Sequence, residues 1–192
     1  VTLSFNAAYS NNFTLRLNGA SNLNLNKLTL EATNITYGNV LELLNNTNNI
    51  SVTNCIIRNS SPSSTLLNAY GNIVNSFRFT NNSVINGSYG IYFQSASNEI
   101  IIDKNTFIDQ YNGGITIAHN YTDTVSIRSN LIQANSFGSG FIAVSVQSNY
   151  CKRLKIEKNK IIIPNGGTGI RLNSFVSLAK PSGYVINNFI QI

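Results

Sequence analysis

The chain has 192 residues, enough for one domain with its own core, and 42% of them are hydrophobic, which excludes a disordered tail. Only 10% are charged and Asn supplies 33 positions, so the polar surface consists mainly of amides and hydroxyls. The net charge of +6 is too sparse for a nucleic-acid footprint, and no apolar run reaches the roughly 20 residues that span a membrane.

An amide-rich, weakly charged surface favours an extracellular, cell-surface or virion-surface location. The chain lacks Met and starts at Val1 within a strand-like pattern. We therefore expect residues 1–192 to form one domain that is a fragment or processed part of a longer or assembled protein.

One pattern recurs along the chain: two apolar residues two positions apart, an Asn or small residue three positions later, and an apolar residue two positions beyond. After a weaker copy at 3–8, copies lie at 28–35, 50–57, 77–84, 100–107, 125–132, 154–161 and 185–190. Measured at the second apolar position, from Leu30 to Val185, successive copies are 22 to 29 residues apart. Self-similarity at such a period predicts a solenoid.

Between these copies, a glycine or polar residue precedes a second run of alternating apolar residues, as in 90–93, 114–117 and 169–172, with an earlier relative at 13–17. Each repeat thus holds two or three short strands separated by turns rich in Asn, Gly and Ser. No stretch has a helical period. The pattern predicts a single-stranded right-handed parallel β-helix of about seven or eight coils, stacked about 4.8 Å apart.

The Asn of the repeated pattern predicts an internal hydrogen-bond ladder. Because equivalent residues stack coil on coil, each side-chain amide can bond to the backbone or the amide of the next coil. Asn54, Asn81 and Asn187 precede ladder positions, where a positive φ, which Asn tolerates, is expected to turn the chain. The predicted ladder residues are Cys55, Asn82, Asn105, Asn130, Asn159 and Asn188.

These repeats and the row of Asn residues resemble the pectin-lyase-like right-handed parallel β-helix proteins, which include pectinases, polysaccharide lyases, phage tailspikes and surface adhesins. The resemblance covers residues 27–192 well and the first 26 loosely. It implies the fold and leaves the activity open, since that fold carries hydrolases, lyases, epimerases and non-catalytic fibres. The Gly-His-Gly element and clustered Asp residues of the pectin hydrolases are missing, because the single His lies in Ala-His-Asn at 118–120 and no two acids are adjacent.

The strongest candidate for chemistry is a row of charges in three successive repeats, Asp103, Arg128 and Glu157, called here the charge row. At the coil spacing the two carboxylates lie about 9–10 Å apart, near the roughly 6.5–9.5 Å of inverting glycosidases. We favour the alternative of a charge ladder in which Arg128 pairs with both acids, because a central cation favours ionised carboxylates over a protonated general acid.

His119, at a predicted turn, is either a further catalytic candidate or a residue that faces solvent and forms local hydrogen bonds. No spacing typical of a metal or cofactor site occurs, so we expect neither.

A second hypothesis is a surface that binds acidic glycans. Lysines around the charge row make this face basic, and Tyr92, Tyr111 and Tyr121 offer stacking platforms. A solvated face that discourages edge pairing explains the same residues. The predicted glycan-binding residues are Lys104, Arg128, Lys155, Lys158, Tyr92 and Arg171.

The two cysteines, Cys55 and Cys151, fall about four coils apart, roughly 19 Å, which is too far for a disulfide. Cys55 is predicted to be a buried ladder residue, and Cys151 to be a free or intermolecular thiol. Among the Asn-x-Ser/Thr sequons, Asn59 and Asn120 in predicted loops are the best candidates for glycosylation.

These features favour a non-catalytic extracellular or virion-surface β-helix that serves as a structural module, an adhesin or a glycan-contacting fibre. The alternative is a polysaccharide lyase or glycoside hydrolase acting on an acidic glycan. Neither end of the predicted solenoid has a capping helix, so we expect a neighbouring domain or subunit to cover the ends, and a homo-oligomer is one such arrangement.

Overall fold

The computed structural model describes residues 1–119, 121–135, 140–173 and 182–192. These residues form 22 strands, numbered β1 to β22 along the chain, and no helix. The strands make three parallel sheets, because each turn of the chain adds one strand to each sheet in the same order. The protein is a parallel β-solenoid of about seven turns, which confirms the predicted fold class. The described residues contain no helix that could span a membrane.

Sheet 1 consists of strands of only three or four residues. In the central strands a single apolar side chain, such as Ile57 or Phe107, points inward and is fully buried, while its neighbours point outward. The sheet contains β1 (Thr2–Phe5), β4 (Thr29–Ala32), β7 (Ile56–Asn59), β10 (Ser83–Asn86), β13 (Thr106–Ile108), β16 (Leu131–Gln133), β19 (Lys160–Ile162) and β22 (Phe189–Gln191).

Sheet 2 follows sheet 1 in each coil, and in two coils a glycine near the start of the sheet 2 strand packs against a side chain of sheet 1. A Cβ on Gly90 would lie 2.6 Å from the ring of Phe107, and a Cβ on Gly114 would lie 2.9 Å from Ile132. Glycine begins these apolar runs because the side chains of sheet 1 occupy the space. The sheet contains β2 (Phe13–Asn18), β5 (Asn39–Leu44), β8 (Leu67–Tyr70), β11 (Tyr89–Phe93), β14 (Gly113–Ala118), β17 (Ile142–Gln147) and β20 (Thr168–Asn173).

The inward side chains of sheet 3 pack in the core against those of both other sheets. The ring of Phe77 packs 5.7 Å from that of Phe93 in sheet 2, and the ring of Phe79 packs 6.4 Å from that of Phe107 in sheet 1. The core is therefore one continuous stack of apolar side chains along the solenoid axis. The sheet contains β3 (Ser21–Asn26), β6 (Thr47–Thr53), β9 (Val74–Thr80), β12 (Ser97–Asp103), β15 (Tyr121–Arg128), β18 (Tyr150–Glu157) and β21 (Ser182–Ile186).

The turn from sheet 3 to sheet 1 is the same in seven successive coils. One residue adopts a φ between 53° and 57°, and the ladder residue follows. The positive φ predicted for three asparagines is correct, but the other coils place Lys or Ser there, at a cost of about 1–2 kcal/mol each for a left-handed conformation. The seven residues are Lys27, Asn54, Asn81, Lys104, Ser129, Lys158 and Asn187.

The asparagine ladder runs along this corner as a chain of hydrogen bonds. The Asn130 amide Nδ2 donates to the Ile102 carbonyl oxygen and to Asn159 Oδ1, both at 3.0 Å. The Asn130 Oδ1 accepts from the Asn105 backbone N–H at 2.9 Å. The same pattern includes Asn82 and Asn188, and the Cys55 N–H donates to Asn82 Oδ1. Each buried amide thus satisfies the backbone of the neighbouring coils.

Strand pairing corrects the predicted repeat near its N-terminal end. Val52 pairs with Leu25 and not with Leu30. Leu30 instead pairs with Ile57 in sheet 1, and Leu3 pairs with Leu30. The copies predicted at 3–8 and 28–35 are therefore out of register, and residues 23–30 form the true equivalent of 50–57.

Candidate functional site

The charge row lies at the outer edge of sheet 3, in register as predicted. Asp103 pairs with Arg128, and Arg128 pairs with Glu157, on consecutive strands. The Arg128 guanidinium Nη2 lies 3.2 Å from Asp103 Oδ2, and this hydrogen bond occupies the carboxylate. Arg128 forms no ion pair with Glu157, so the predicted bridge to both acids is wrong for one of them.

The catalytic candidates do not converge on one point. His119 precedes β15, whereas Asp103 lies beside Arg128 at the far end of the same eight-residue strand. The length of the strand separates them by about 25 Å. The His119 ring Nδ1 accepts a hydrogen bond from the Tyr121 backbone N–H at 3.0 Å, a local turn contact. These positions do not allow His119 and Asp103 to act on the same bond.

The predicted glycan-binding residues lie on two different faces. Lys104 and Lys158 occupy the left-handed turn after sheet 3, where their exposed side chains face solvent. Lys155 is on the outer face of sheet 3, with its ammonium 5.9 Å from the ring centre of Tyr184. Tyr92 and Arg171 are on sheet 2 instead, in one outward column. The predicted set is thus not one surface.

Among the described residues, five ion pairs join neighbouring coils, and the sequence predicted only one of them. Four have partly exposed side chains on both sides, and such pairs contribute about 0–1 kcal/mol each. Each pair links two adjacent strands within the same sheet and so holds neighbouring coils in register. The pairs are Arg16–Glu42, Arg58–Glu31, Arg78–Glu99, Arg128–Asp103 and Lys152–Asp123.

The most buried of these acids, Glu42, lies on the outer face of sheet 2 and is only 2% exposed. Its carboxylate accepts hydrogen bonds from Arg16 Nε and Asn39 Nδ2, both at 2.8 Å, and from the Tyr70 hydroxyl at 3.4 Å. Burial, reinforced by the charge of Glu42, raises the pKa of Tyr70 above its usual value, so the phenol remains a donor. Sequence reasoning missed this cluster because Glu42 stands among apolar residues at 40–44.

The remaining acids are Asp109 and Glu157. The Asp109 carboxylate accepts from the Asn135 backbone N–H at 2.9 Å, again across neighbouring coils. Glu157 has no ion-pair partner among the described residues. A cleft of about 380 Å³ lies beside the Glu31–Arg58 pair, so its charges are compensated.

Both thiols are free and buried, as expected for two cysteines that do not pair. Cys151 is 5% exposed, and this burial raises the pKa of its thiol. Of the two alternatives predicted for Cys151, the structure has the free thiol, and its burial argues against an intermolecular bond. Within the described part of the chain, no group of three His, Cys, Asp or Glu side chains is arranged to hold a metal ion.

The two glycosylation candidates have different outcomes. Asn59 is buried, and its amide donates to the Gly38 carbonyl while its Oδ1 accepts from the Ser61 N–H. The prediction for Asn59 is therefore wrong, because a glycan cannot be attached to an enclosed amide without opening the turn. Asn120 lies outside the described residues.

Comparisons of the chain with protein-family models, with curated proteins and with solved structures find no match. The resemblance to the pectin-lyase-like β-helix proteins remains a prediction from the repeats. What the protein does must therefore be inferred from its own geometry.

Proposed function

We propose that the protein is a non-catalytic β-solenoid module of an extracellular or virion surface, in which the stacked coils form a structural rod. The proposal is supported by the contacts that the acidic side chains make. Of the seven Asp and Glu residues, five form ion pairs between neighbouring coils and Asp109 bonds to the backbone of the next coil.

Hydrolysis of a glycosidic bond requires two carboxyl groups that face the substrate and are free to move protons. Asp103 is held by Arg128, and Glu157 is the one acid without a described partner. A lone acid supports neither the inverting nor the retaining arrangement. Acids that connect coils suit a rod, because a solenoid is stabilised mainly by contacts between adjacent repeats.

Exposed apolar side chains at the terminal coils support a partner there. Leu3 and Phe5 in the first coil and Val185 and Ile190 in the last are each about 40% exposed, although they occupy inward positions. A neighbouring domain or a subunit of a homo-oligomer that covers these coils would bury that surface. Acidic-glycan contact through Lys104, Lys155 and Lys158 remains a prediction.

The test combines turnover with thermal unfolding. The purified chain is incubated with neutral and acidic polysaccharides, and the release of reducing ends and of unsaturated uronates is measured. We expect none from the wild type. Asp103→Asn should lower the free energy of unfolding by about 0–1 kcal/mol, the contribution of one partly exposed ion pair, and so lower the melting temperature slightly. Glu157→Gln should leave the melting temperature unchanged. Turnover that Asp103→Asn or Glu157→Gln abolishes would contradict the proposal and indicate a polysaccharide-degrading enzyme.

A further inference from the structure

Two tyrosines, one exposed and one partly buried, form an aromatic step at the edge of sheet 3 that faces sheet 2. Tyr121 and Tyr150 begin consecutive strands and pair in register. Their ring centres are 5.2 Å apart with planes tilted by 33°. Tyr121 is 64% exposed, so much of its ring remains open to solvent beyond the contact with Tyr150. An aromatic face is thus held in a fixed position and left open to solvent.

A cleft of about 230 Å³ lies directly beside Tyr121 and is called here the tyrosine cleft. Three successive coils contribute to it, so it extends along the axis for about 10 Å. Its apolar part comes from Ile73 and Ala96, which are joined by a β-bridge. Its polar part comes from Asn75, Ser97, Asn98 and Asp123.

The tyrosine cleft carries almost no net charge. The Asp123 carboxylate lies 3.2 Å from the Lys152 ammonium. The same ammonium lies 5.5 Å from the ring centre of Tyr150. The one acid of the cleft is thus neutralised by a cation that also anchors the aromatic step, and an ionic ligand would find no unpaired charge of opposite sign.

We propose that the tyrosine cleft is a binding subsite for a neutral sugar residue of a glycan. The apolar face of a pyranose ring stacks on an exposed aromatic ring, and its hydroxyls need a dense set of amide, hydroxyl and carboxylate partners. Tyr121 provides the ring, and Asn75, Asn98 and Asp123 provide the partners. The length of about 10 Å accommodates about two sugar residues, so the ligand is an oligosaccharide. The inference depends on the proposed function only in that the sugar is retained and not cleaved.

Binding is measured by isothermal titration calorimetry against neutral hexasaccharides of α- and β-linked glucose, mannose and xylose, with galacturonate and hyaluronan hexasaccharides as acidic probes. We expect at least one neutral hexasaccharide to bind. Tyr121→Ala should weaken that binding about tenfold or more, since truncating a central aromatic anchor commonly has such an effect. Tyr121→Phe retains the stacking ring and should remain within about threefold of the wild type.

Tyr9→Ala is the matched control, because Tyr9 is 86% exposed and packs edge-on against Tyr37 at 6.1 Å, but it does not line the tyrosine cleft. It should leave binding unchanged. Binding of acidic probes alone, no binding of any neutral hexasaccharide, or neutral binding that Tyr121→Ala leaves intact would each overturn the subsite. Release of shorter sugars from a bound hexasaccharide would contradict the non-catalytic function while leaving the subsite in place, so the two failures are distinguishable.

Discussion

The central and terminal coils place the same residue types in the same columns but bury them to different extents. Ile132 and Ile190 both point inward from sheet 1, two coils apart, yet Ile132 is fully buried and Ile190 is 42% exposed. Asn130 is almost fully buried in the ladder, whereas Asn188 at its end is only partly buried. Burial in this protein is therefore supplied by the adjacent coils and not by the strand itself.

The largest expected effect comes from replacing a ladder residue at the centre rather than at the end. Asn130→Leu leaves the Ile102 carbonyl and the Asn105 N–H without their buried partners, and each loss costs about 1–3 kcal/mol. We expect Asn130→Leu to lower the free energy of unfolding by about 3–5 kcal/mol. Denaturant unfolding monitored by circular dichroism measures the change.

Asn188→Leu is the paired control for the ladder, because Asn188 occupies the same column and, among the described residues, contacts only the preceding coil. It should cost about 1–2 kcal/mol, since its surroundings are open to water. Equal losses for the two variants would show that the ladder does not depend on enclosure between coils.

A smaller effect is expected from truncating the two isoleucines of the same column. Ile132→Ala removes buried methyl groups and leaves a cavity, at a cost of about 2–4 kcal/mol. Ile190→Ala removes groups that water already reaches and should cost about 1 kcal/mol or less. Hydrogen exchange by mass spectrometry also resolves where the chain opens: Ile132→Ala should raise exchange in both adjacent coils. Unequal stability without this two-sided response would argue against coupling between neighbouring coils.

The smallest effect concerns the left-handed turn, which is alike in central and terminal coils. Lys104 has a φ of 57°, so Lys104→Gly relieves about 1–2 kcal/mol of strain. Glycine also makes the unfolded chain more flexible, which offsets about half of this gain. We expect a net stabilisation of about 0.5–1 kcal/mol, measured as a rise in melting temperature. Lys104→Val, which is β-branched, should destabilise the protein, and a neutral result for both would contradict the strain.

The sequence predicted the ladder because a buried amide restricts the amino acid at one position, and it predicted the left-handed turn only in the three coils where Asn precedes the ladder residue. It did not predict that Lys104, Ser129 and Lys158 share the conformation of the three asparagines. That corner faces water, so any residue that tolerates the strain is allowed there. The register error near Leu25 and Leu30 has a related cause, because residues 23–30 and 28–35 have nearly the same apolar spacing and only strand pairing distinguishes them.

The repeat of apolar pairs and Asn residues by itself determined that the chain winds into stacked coils, since short strands with one apolar face are stable only against a copy of themselves. The period of two also determined which side chains point inward in the central coils. Only the tertiary structure decided which side chains meet across coils: that Glu42 is enclosed with Arg16, that Asn59 is buried, and that Tyr121 lies open above a cleft. Coils differ in length by several residues, so the sequence alone does not fix which outward side chains become neighbours, and strand pairing decides it.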